Sequence, residues 1–576
     1  MSVNRELTAI FEQIADLMDI LGEDRFRVNS YRRVARVIKD QARDIEALAQ
    51  SSELDKLPGV GKASAAKIRQ YLSDEKIDLH QDLLARVPTG LPPLLGVPGL
   101  GPKTIALVWK EGGVTSTEEL SAAIDSGKLE SLAGLGAKKL QQIAKGIKFM
   151  KQVGGYTPLG AAMPIAQAVI KQLKSIKAVK KITEAGSLRR RCETIGDLDL
   201  LVAANDPKPV IKAFTSLADV ADILVAGDTK VSVRVHGGLQ IDLRLVEEKC
   251  FGAALQYFTG SKNHNVKLRE RAVQAGYKLN EYGLFKGEKS VAGRTEEEIY
   301  AQLKLATPPP EMREDRGEIE LAEKGPLPKL IELADIRGDM HMHTTASDGR
   351  MSIEEMAETT AELGYDYIAI ADHSVSSAIA NGLSTKRLEA HIKAIRKVDK
   401  AMGEKFNVLA SSEVDILADG KLDYPDGLLA QLDWVTASAH TAQRQPRNKA
   451  TARIKRAMDN PYVNCIGHPT GRLIGQREAM DLDMEAIVEH AANTNTALEI
   501  NASYHRLDLK DTHARLAAET GVMLMINTDA HHVDQLSQMT YGVATARRAM
   551  VTADHVLNTR PLKQLCAWRI GKLGDK

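Results

Sequence analysis

The sequence predicts a multidomain protein with a helical N-terminal part, an α+β centre and a C-terminal distorted (β/α) barrel. Three observations carry this. A Gly-x-Gly turn followed by a helical pattern recurs three times in the first 143 residues, a strand-like run bears Asp197 and Asp199, and after residue 336 His, Asp or Glu repeatedly end β-like runs. A length of 576 residues suffices for several domains, each with its own core. With 43% hydrophobic, 27% charged and 4% aromatic residues, the composition excludes a disordered chain. No apolar run approaches the roughly 18 residues of a membrane span. The N-terminus, MSVNRELTAIFEQIADLMDIL, sets acids inside an amphipathic pattern, so a cytoplasmic location is expected. Cys192, Cys250, Cys465 and Cys566 form no CxxC pair, which argues against a disulfide framework or a zinc ribbon.

A net charge of +1 conceals an asymmetry. Residues 1–330 carry 49 Lys+Arg against 43 Asp+Glu, the remainder 28 against 33, and 12 of the 15 histidines follow residue 330. Between the two parts, ATPPPEMREDRGEIELAEKGPLPKL is proline-punctuated and charged, as linkers are.

In the helical part, LPGVGKASAAKI, VPGLGPKTIALV and LAGLGAKKLQQI share one pattern. Gly59 and Gly61, Gly99 and Gly101, and Gly134 and Gly136 permit a tight turn whose backbone N–H groups can meet a phosphate at the next helix's start. Lys62, Lys103 and Lys138 stand beside these turns. The pattern resembles the helix-hairpin-helix motif, which holds the DNA backbone without reading sequence. A plain helical hairpin with a glycine cap would explain any one copy, and three copies argue against it.

In the α+β centre, ITEAGSLRRRCETIGDLDLLV begins as a strand, breaks at Gly186-Ser187 into a basic turn and returns as a strand. Asp197 and Asp199, two apart, share a face and can bind the same divalent ions, Mg²⁺ or Mn²⁺. Asp242, in the alternating run VRVHGGLQIDLRLV, offers a third acid. Two ions so held would activate a 3′-hydroxyl and stabilise leaving pyrophosphate, with Gly186, Ser187 and Arg189 or Arg190 receiving the triphosphate.

Residues 1–315 resemble a family X DNA polymerase. The resemblance rests on this acid pattern, on YFTGSKNHN at 257–265 and on LNEYGLF at 279–285. It implies that Ser187, Arg190 and Gly260 lie at the nucleotide, that Tyr257 and Phe258 shape the sugar pocket, and that Asn265 reaches the minor groove. It departs at Gln240, where an arginine is usual beside the third aspartate, at Lys262, where an acid often contacts the nucleotide, and at Tyr156-Thr157, where a phosphate-binding arginine is expected. RVNSYRRVARVIKD and the first hairpin resemble the family's lyase domain, which would make Lys67 a Schiff-base nucleophile; a solvated helix lysine is the plainer reading.

In the C-terminal part, DMHMHTTASDG is followed by IAIADHS, SSEVDILADG, VTASAH, CIGHP and LMINTDAHH, with helical patterns between. Repeated βα units with ligands at strand ends describe a barrel whose site occupies one mouth. His341, His343, Asp348, His373, Glu413, His440, His468, Asp529 and His531 make nine potential ligands. Nine exceed one tetrahedral zinc and suit up to three ions, Zn²⁺ or Mn²⁺, sharing a carboxylate. Any one of these histidines alone reads as a core residue, and their joint placement removes that reading. The pattern resembles the PHP (polymerase and histidinol phosphatase) domain, whose trimetal sites hydrolyse phosphoesters. Arg472 and Arg477 are candidates to hold a substrate phosphate.

These resemblances divide the chain into a lyase-like helical domain (1–85), fingers (86–153), a nucleotidyltransferase palm (154–250), a thumb (251–315), a linker (316–335) and a PHP domain (336–576). They imply a monomeric repair polymerase acting on gapped or nicked DNA with dNTPs, and a separate 3′-5′ exonuclease. Two rivals are a PHP nuclease or phosphatase delivered to DNA by a weak polymerase, and a non-catalytic scaffold at DNA ends.

Overall fold

The computed structural model describes residues 3–573 apart from 42, 52, 98–99, 133, 137–138, 142, 145–146, 148–155 and 237. It falls into two compact units, Met1–Gly155 and Tyr156–Lys576. No helix among the described residues is long and apolar enough to cross a membrane.

The first unit is all-helical. Apolar residues at helical spacing, such as Leu7, Phe11, Ile14 and Met18, bury one face of α1 (Val3–Leu21) against α2 (Arg25–Asp40). The same core cluster runs from Leu7 to Ile147, so the two helical domains expected at 1–85 and 86–153 share one core. At the first hairpin, Gly59 adopts φ +94 and Gly61 caps α3 (Lys62–Asp74) without a side-chain hydrogen bond. At the second, Gly101 caps α4 (Pro102–Lys110) in the same way. Gly99, Ala133 and Lys138 lie outside the described residues.

The second unit opens with the palm. Its strands are β1 (Val179–Glu184), β2 (Asp197–Ala204), β3 (Val220–Ala226), β4 (Lys230–Val235) and β5 (Gln240–Val246), in the order β1-β2-β5-β4-β3. β2 and β5 run parallel and the other pairs antiparallel. On β2, Leu198, Leu200 and Val202 join one apolar cluster, while Leu201 and Ala203 pack with Phe251 and Ala254 on the other face. Burial on both faces explains the apolar run LLVAA that follows Asp199. The thumb follows, with helices Phe251–Thr259 and Lys262–Gln274 beside the small sheet β6 (Lys278–Asn280), β7 (Gly283–Lys286) and β8 (Lys289–Ala292).

Residues 316–335 do not behave as a solvated linker. Glu318–Lys324 forms a helix, and Glu318 is fully buried, with Oε1 2.6 Å from His264 Nδ1, whose Nε2 meets the Tyr300 hydroxyl at 2.8 Å. The charges that look solvated in sequence are paired across elements, as in Arg316–Asp511 at 2.9 Å.

The barrel strands are β9 (Gly338–Met342), β10 (Tyr367–Ile370), β11 (Asn407–Asp415), β12 (Trp434–Ser438), β13 (Cys465–Ile466), β14 (Ala497–Asn501) and β15 (Leu524–Asn527). They pair in sequence order, all parallel. A parallel bridge between Met342 and Ala530 joins first to last, with His343 N donating to Ala530 O at 2.8 Å and Asp529 N to His341 O at 2.9 Å. The distorted (β/α) barrel is therefore nearly closed.

Candidate active sites

In the palm, strand register assembles the acids. Asp199 lies directly opposite Asp242 across the parallel β2–β5 ladder, and Asp197 lies two residues along the same face of β2. The three present carboxylate oxygens within 4.8 Å of one another. Gly186 sits at φ +58 over Asp199, where a Cβ would collide with the carboxylate, so glycine is required by both conformation and space. Burial and the neighbouring Asp197 and Asp242 push the Asp199 carboxyl up to about 7. Burial and Asp242 also raise Asp197. Burial alone would raise Asp242 too, but the contacts from Lys230 and Gln240 prevail and lower it. Three crowded carboxylates that resist joint ionisation fit a divalent cation.

The surrounding residues are engaged within the fold. Lys230 Nζ stands 2.6 Å from Asp242 Oδ2, and Gln240 Nε2 donates to Asp242 Oδ1 at 2.8 Å. The charge missing at Gln240 thus comes from the neighbouring strand. Arg189 makes a two-pronged pair with Glu296. Arg190 donates to Glu314 at 2.9 Å and to the Thr259 carbonyl at 2.8 Å, so a triphosphate would have to draw it from Glu314. Tyr257 and Phe258 meet edge to face at 5.1 Å, and the Asn265 amide donates to Tyr257 O at 2.6 Å. A Cβ on Gly260 would press on Asn265. In the helical unit, Lys62 and Lys103 are exposed beside their turns. Lys67 Nζ lies 5.7 Å from the Tyr31 ring centre and donates to Ala63 O.

At the barrel mouth seven of the nine expected donors lie beyond strand C-terminal ends, His341 and Glu413 lie within the last three residues of β9 and β11, and Glu413 is the hub. Its Oε1 lies 2.8 Å from His468 Nε2, 3.2 Å from His440 Nε2 and 3.5 Å from His341 Nε2. Its Oε2 lies 2.9 Å from His373 Nδ1 and 3.8 Å from His343 Nε2. His343, Asp348, His373 and His531 form one group of donors, His341, His343 and Asp529 a second, and His373, Glu413 and His440 a third. Both Glu413 oxygens, His341 Nε2, His343 Nδ1 and His373 Nδ1 are buried without a hydrogen-bond partner. Buried orphaned donors of this chemistry fit divalent metal ions. His468 and Asp529 hold positive φ, 26 and 55, strained backbone at two of the donors.

Electrostatics agree with that fit. Burial would lower His373 and His440, but carboxylates outweigh it: Glu413 and Asp348 raise His373 to about 10, and Glu413 and Asp415 raise His440 to about 9. Burial, with His531 and His373 alongside, pushes His343 down to about 4. Burial would raise Glu413, yet His440, His341 and His373 hold it well below the usual carboxylate range. Cations entering here displace protons.

The residues that orient the donors escape a sequence reading. Glu499 accepts from His341 Nδ1 at 2.8 Å and from His468 N at 2.7 Å; Asp415 lies 2.9 Å from His440 Nδ1; Asn501 donates to Asp529 at 3.0 Å. Asp372 gathers Thr344, Ser347 and His391, fixing the loop that bears Asp348. An available signal is the acid inside the fully buried strand ALEIN. The phosphate-holding expectation for Arg472 fails. Its guanidinium is spent on Glu193 and on the carbonyls of Arg506 and Leu507, because it braces the barrel against the palm. Arg477 donates to Gly471 O at 2.9 Å.

Family comparison matches residues 2–77 to a helix-hairpin-helix domain, 91–148 to a SAM-like helix-hairpin-helix tandem, 254–314 to the DNA polymerase beta thumb and 339–503 to the PHP domain. Over 568 residues the chain is 39% identical to the DNA polymerase/3'-5' exonuclease PolX of Bacillus subtilis (strain 168), covering 98% of this chain and 99% of that protein. A probable phosphatase of Thermoanaerobacter sp. (strain X514) is 30% identical over 235 residues, 38% of this chain and 89% of its own length. DNA polymerase lambda of Arabidopsis thaliana is 27% identical over 328 residues, 53% of this chain and 59% of its own. Likeness along almost the whole length, with polymerase and PHP parts both matched, leads to one conclusion: the chain belongs to the bacterial family X DNA polymerases that carry a C-terminal PHP domain.

Proposed function

We propose that this protein fills short gaps in DNA at the palm and removes nucleotides from 3′ ends at the barrel mouth. One observation carries the reading: a single folded unit holds two donor sets of different chemistry, three carboxylates on the palm sheet and an imidazole-rich set around Glu413. Asp197, Asp199 and Asp242 suit Mg²⁺ or Mn²⁺. The nine barrel donors suit up to three Zn²⁺ or Mn²⁺ ions. When bound, such ions supply the positive charge that displacement at phosphorus requires.

The chain's own residues then divide the work. Uncapped N–H groups behind Gly61 and Gly101, with Lys62 and Lys103, hold the backbone of gapped or nicked DNA. Gly186 and Ser187 receive the dNTP triphosphate, and Arg190 joins them on leaving Glu314. Tyr257 and Phe258 wall the sugar side, Gly260 lies at the nucleotide and Asn265 faces the minor groove. Asp242, held by Lys230 and Gln240, would accept the proton of the primer 3′-hydroxyl.

A 5′-labelled gapped primer-template, incubated with and without dNTPs in Mg²⁺ and in Mn²⁺, tests this on one gel. Extension with dNTPs and shortening without them is the expected result. Shortening with no extension would make the barrel the working enzyme, and neither would leave a DNA-end scaffold.

A further inference from the structure

Arg506 is a charged residue at the barrel mouth that the nine donors leave unexplained. It lies past β14, in a segment that doubles back so that Asn501 N donates to Asp508 O at 2.6 Å. Its Nε stands 3.6 Å from Asp529 Oδ2, beyond hydrogen-bond reach, with the side chain 17% exposed. That carboxylate is already served, Oδ2 by Asn501 at 3.0 Å and Oδ1 by His343 at 3.0 Å. Arg506 Nη1 is buried and has no hydrogen-bond partner. A buried guanidinium N–H without an acceptor costs on the order of 1–3 kcal/mol, more where charge is involved, so a fold keeps one only where something else compensates.

The backbone that carries Arg506 is braced. Its carbonyl accepts from Arg472 Nε at 2.9 Å, the Leu507 carbonyl accepts from the same guanidinium, and the His505 carbonyl accepts from Ile474 N at 2.7 Å. Arg472 is anchored in turn to Glu193 of the palm at 2.7 Å. A planar fork on a rigid segment, beside a metal-ligating carboxylate and with a spare donor, has the chemistry of an anion clamp.

We propose that Arg506 binds a non-bridging oxygen of the phosphate cleaved at the barrel mouth, and that Arg472 is the residue that positions it. The inference rests on the phosphoesterase reading of that site. Arg506 would neutralise charge that grows on the phosphoryl oxygens as the ester bond breaks, which Asp529, an anion, cannot do.

Arg506→Ala, Arg506→Lys and Arg506→Gln in the full chain test this. Three readings are taken: kcat/KM for shortening a 5′-labelled single strand, bound metal, and inhibition by inorganic phosphate. Arg506→Ala is expected to lose on the order of 10²–10³-fold in kcat/KM, to bind phosphate at least about tenfold more weakly on losing a charged partner, and to keep the wild-type metal count and primer extension. Arg506→Lys should recover part of both losses and Arg506→Gln little. Wild-type kcat/KM and phosphate inhibition in Arg506→Ala would overturn the proposal. So would loss of metal from that variant, since Arg506 would then serve only to hold Asp529. Should the alanine variant fail to fold, seen as lost primer extension, equal activity of the lysine and glutamine variants would overturn it. If wild-type protein shortens no DNA but hydrolyses p-nitrophenyl phosphate, the exonuclease reading fails, and Arg506 is judged by phosphate inhibition of that hydrolysis.

Discussion

At Asp242 the nearest positive charge is Lys230, 2.6 Å away on the neighbouring strand, while Gln240 adds only a neutral amide. Residues that orient metal-binding groups are commonly worth about 10–100-fold in activity. Lys230→Met should therefore slow single-nucleotide insertion by about that factor, leave 3′ shortening intact and be partly repaired by adding Gln240→Arg. Insertion at the wild-type rate by Lys230→Met would show that the charge is idle. The acids themselves were legible, because Asp-x-Asp fixes a shared strand face and only register was needed to bring in Asp242. Lys230 was not, because a lysine opening an alternating strand reads as a solvated face until its partner is known. Arg472 misled for a related reason: a basic residue after a metal-ligating histidine looks like a phosphate holder, and only the folded contacts spend it on Glu193.

Two elements carry predictions of their own. The helix that opens at Glu296 pins the thumb, since this buried carboxylate pairs with Arg313 and Arg189. Burial alone would raise Glu296, but the two arginines prevail and hold it down to about 2. The stability so gained is fully present above the ordinary glutamate value and is lost as pH falls through about 2. Glu296→Gln leaves buried Arg313 without its counter-charge, so urea unfolding of this unit should show a loss of about 3–5 kcal/mol, level from pH 5 to 8 and shrinking below about pH 4. A deficit that grows on acidification would contradict this. In the hairpins, Lys62→Ala and Lys103→Ala should each weaken binding to all DNA sequences alike and reduce the slope of log K against log salt by about one, read by titration at several salt concentrations. A loss confined to some sequences would mean base readout. The hairpins were readable because Gly-x-Gly dictates a turn with its own backbone requirement. The stretch 316–335 reads as a linker because charge and proline describe composition, while in the fold Glu318 and Arg316 find partners far away in sequence.

Over the whole molecule, the sequence distinguishes the parts and says little about what bolts them together. Arg548, from the barrel's penultimate helix, reaches Glu314 at 2.9 Å, Asp511 at 2.9 Å and the Arg190 carbonyl at 2.7 Å, while Arg547 pairs with Glu311 at 2.8 Å. Apart from Arg548–Asp511, these contacts join residues more than 200 apart in the chain, where no local pattern exists to read. The barrel donors, in contrast, are readable in sequence, since they recur at the ends of six of the seven barrel strands. Palm and barrel are proposed as two separate metal-dependent centres in one unit. Replacing both His341 and His343 by alanine tests this most directly, because these two imidazoles serve two of the three donor groups at the mouth and none in the palm. The measurement is one labelled gapped substrate, followed with and without dNTPs, alongside the count of bound metal. In the double variant 3′ shortening should vanish, at least one ion should be lost, and gap filling should persist at the wild-type rate. Undiminished shortening by a folded double variant, or gap filling lost together with it, would contradict two separate centres.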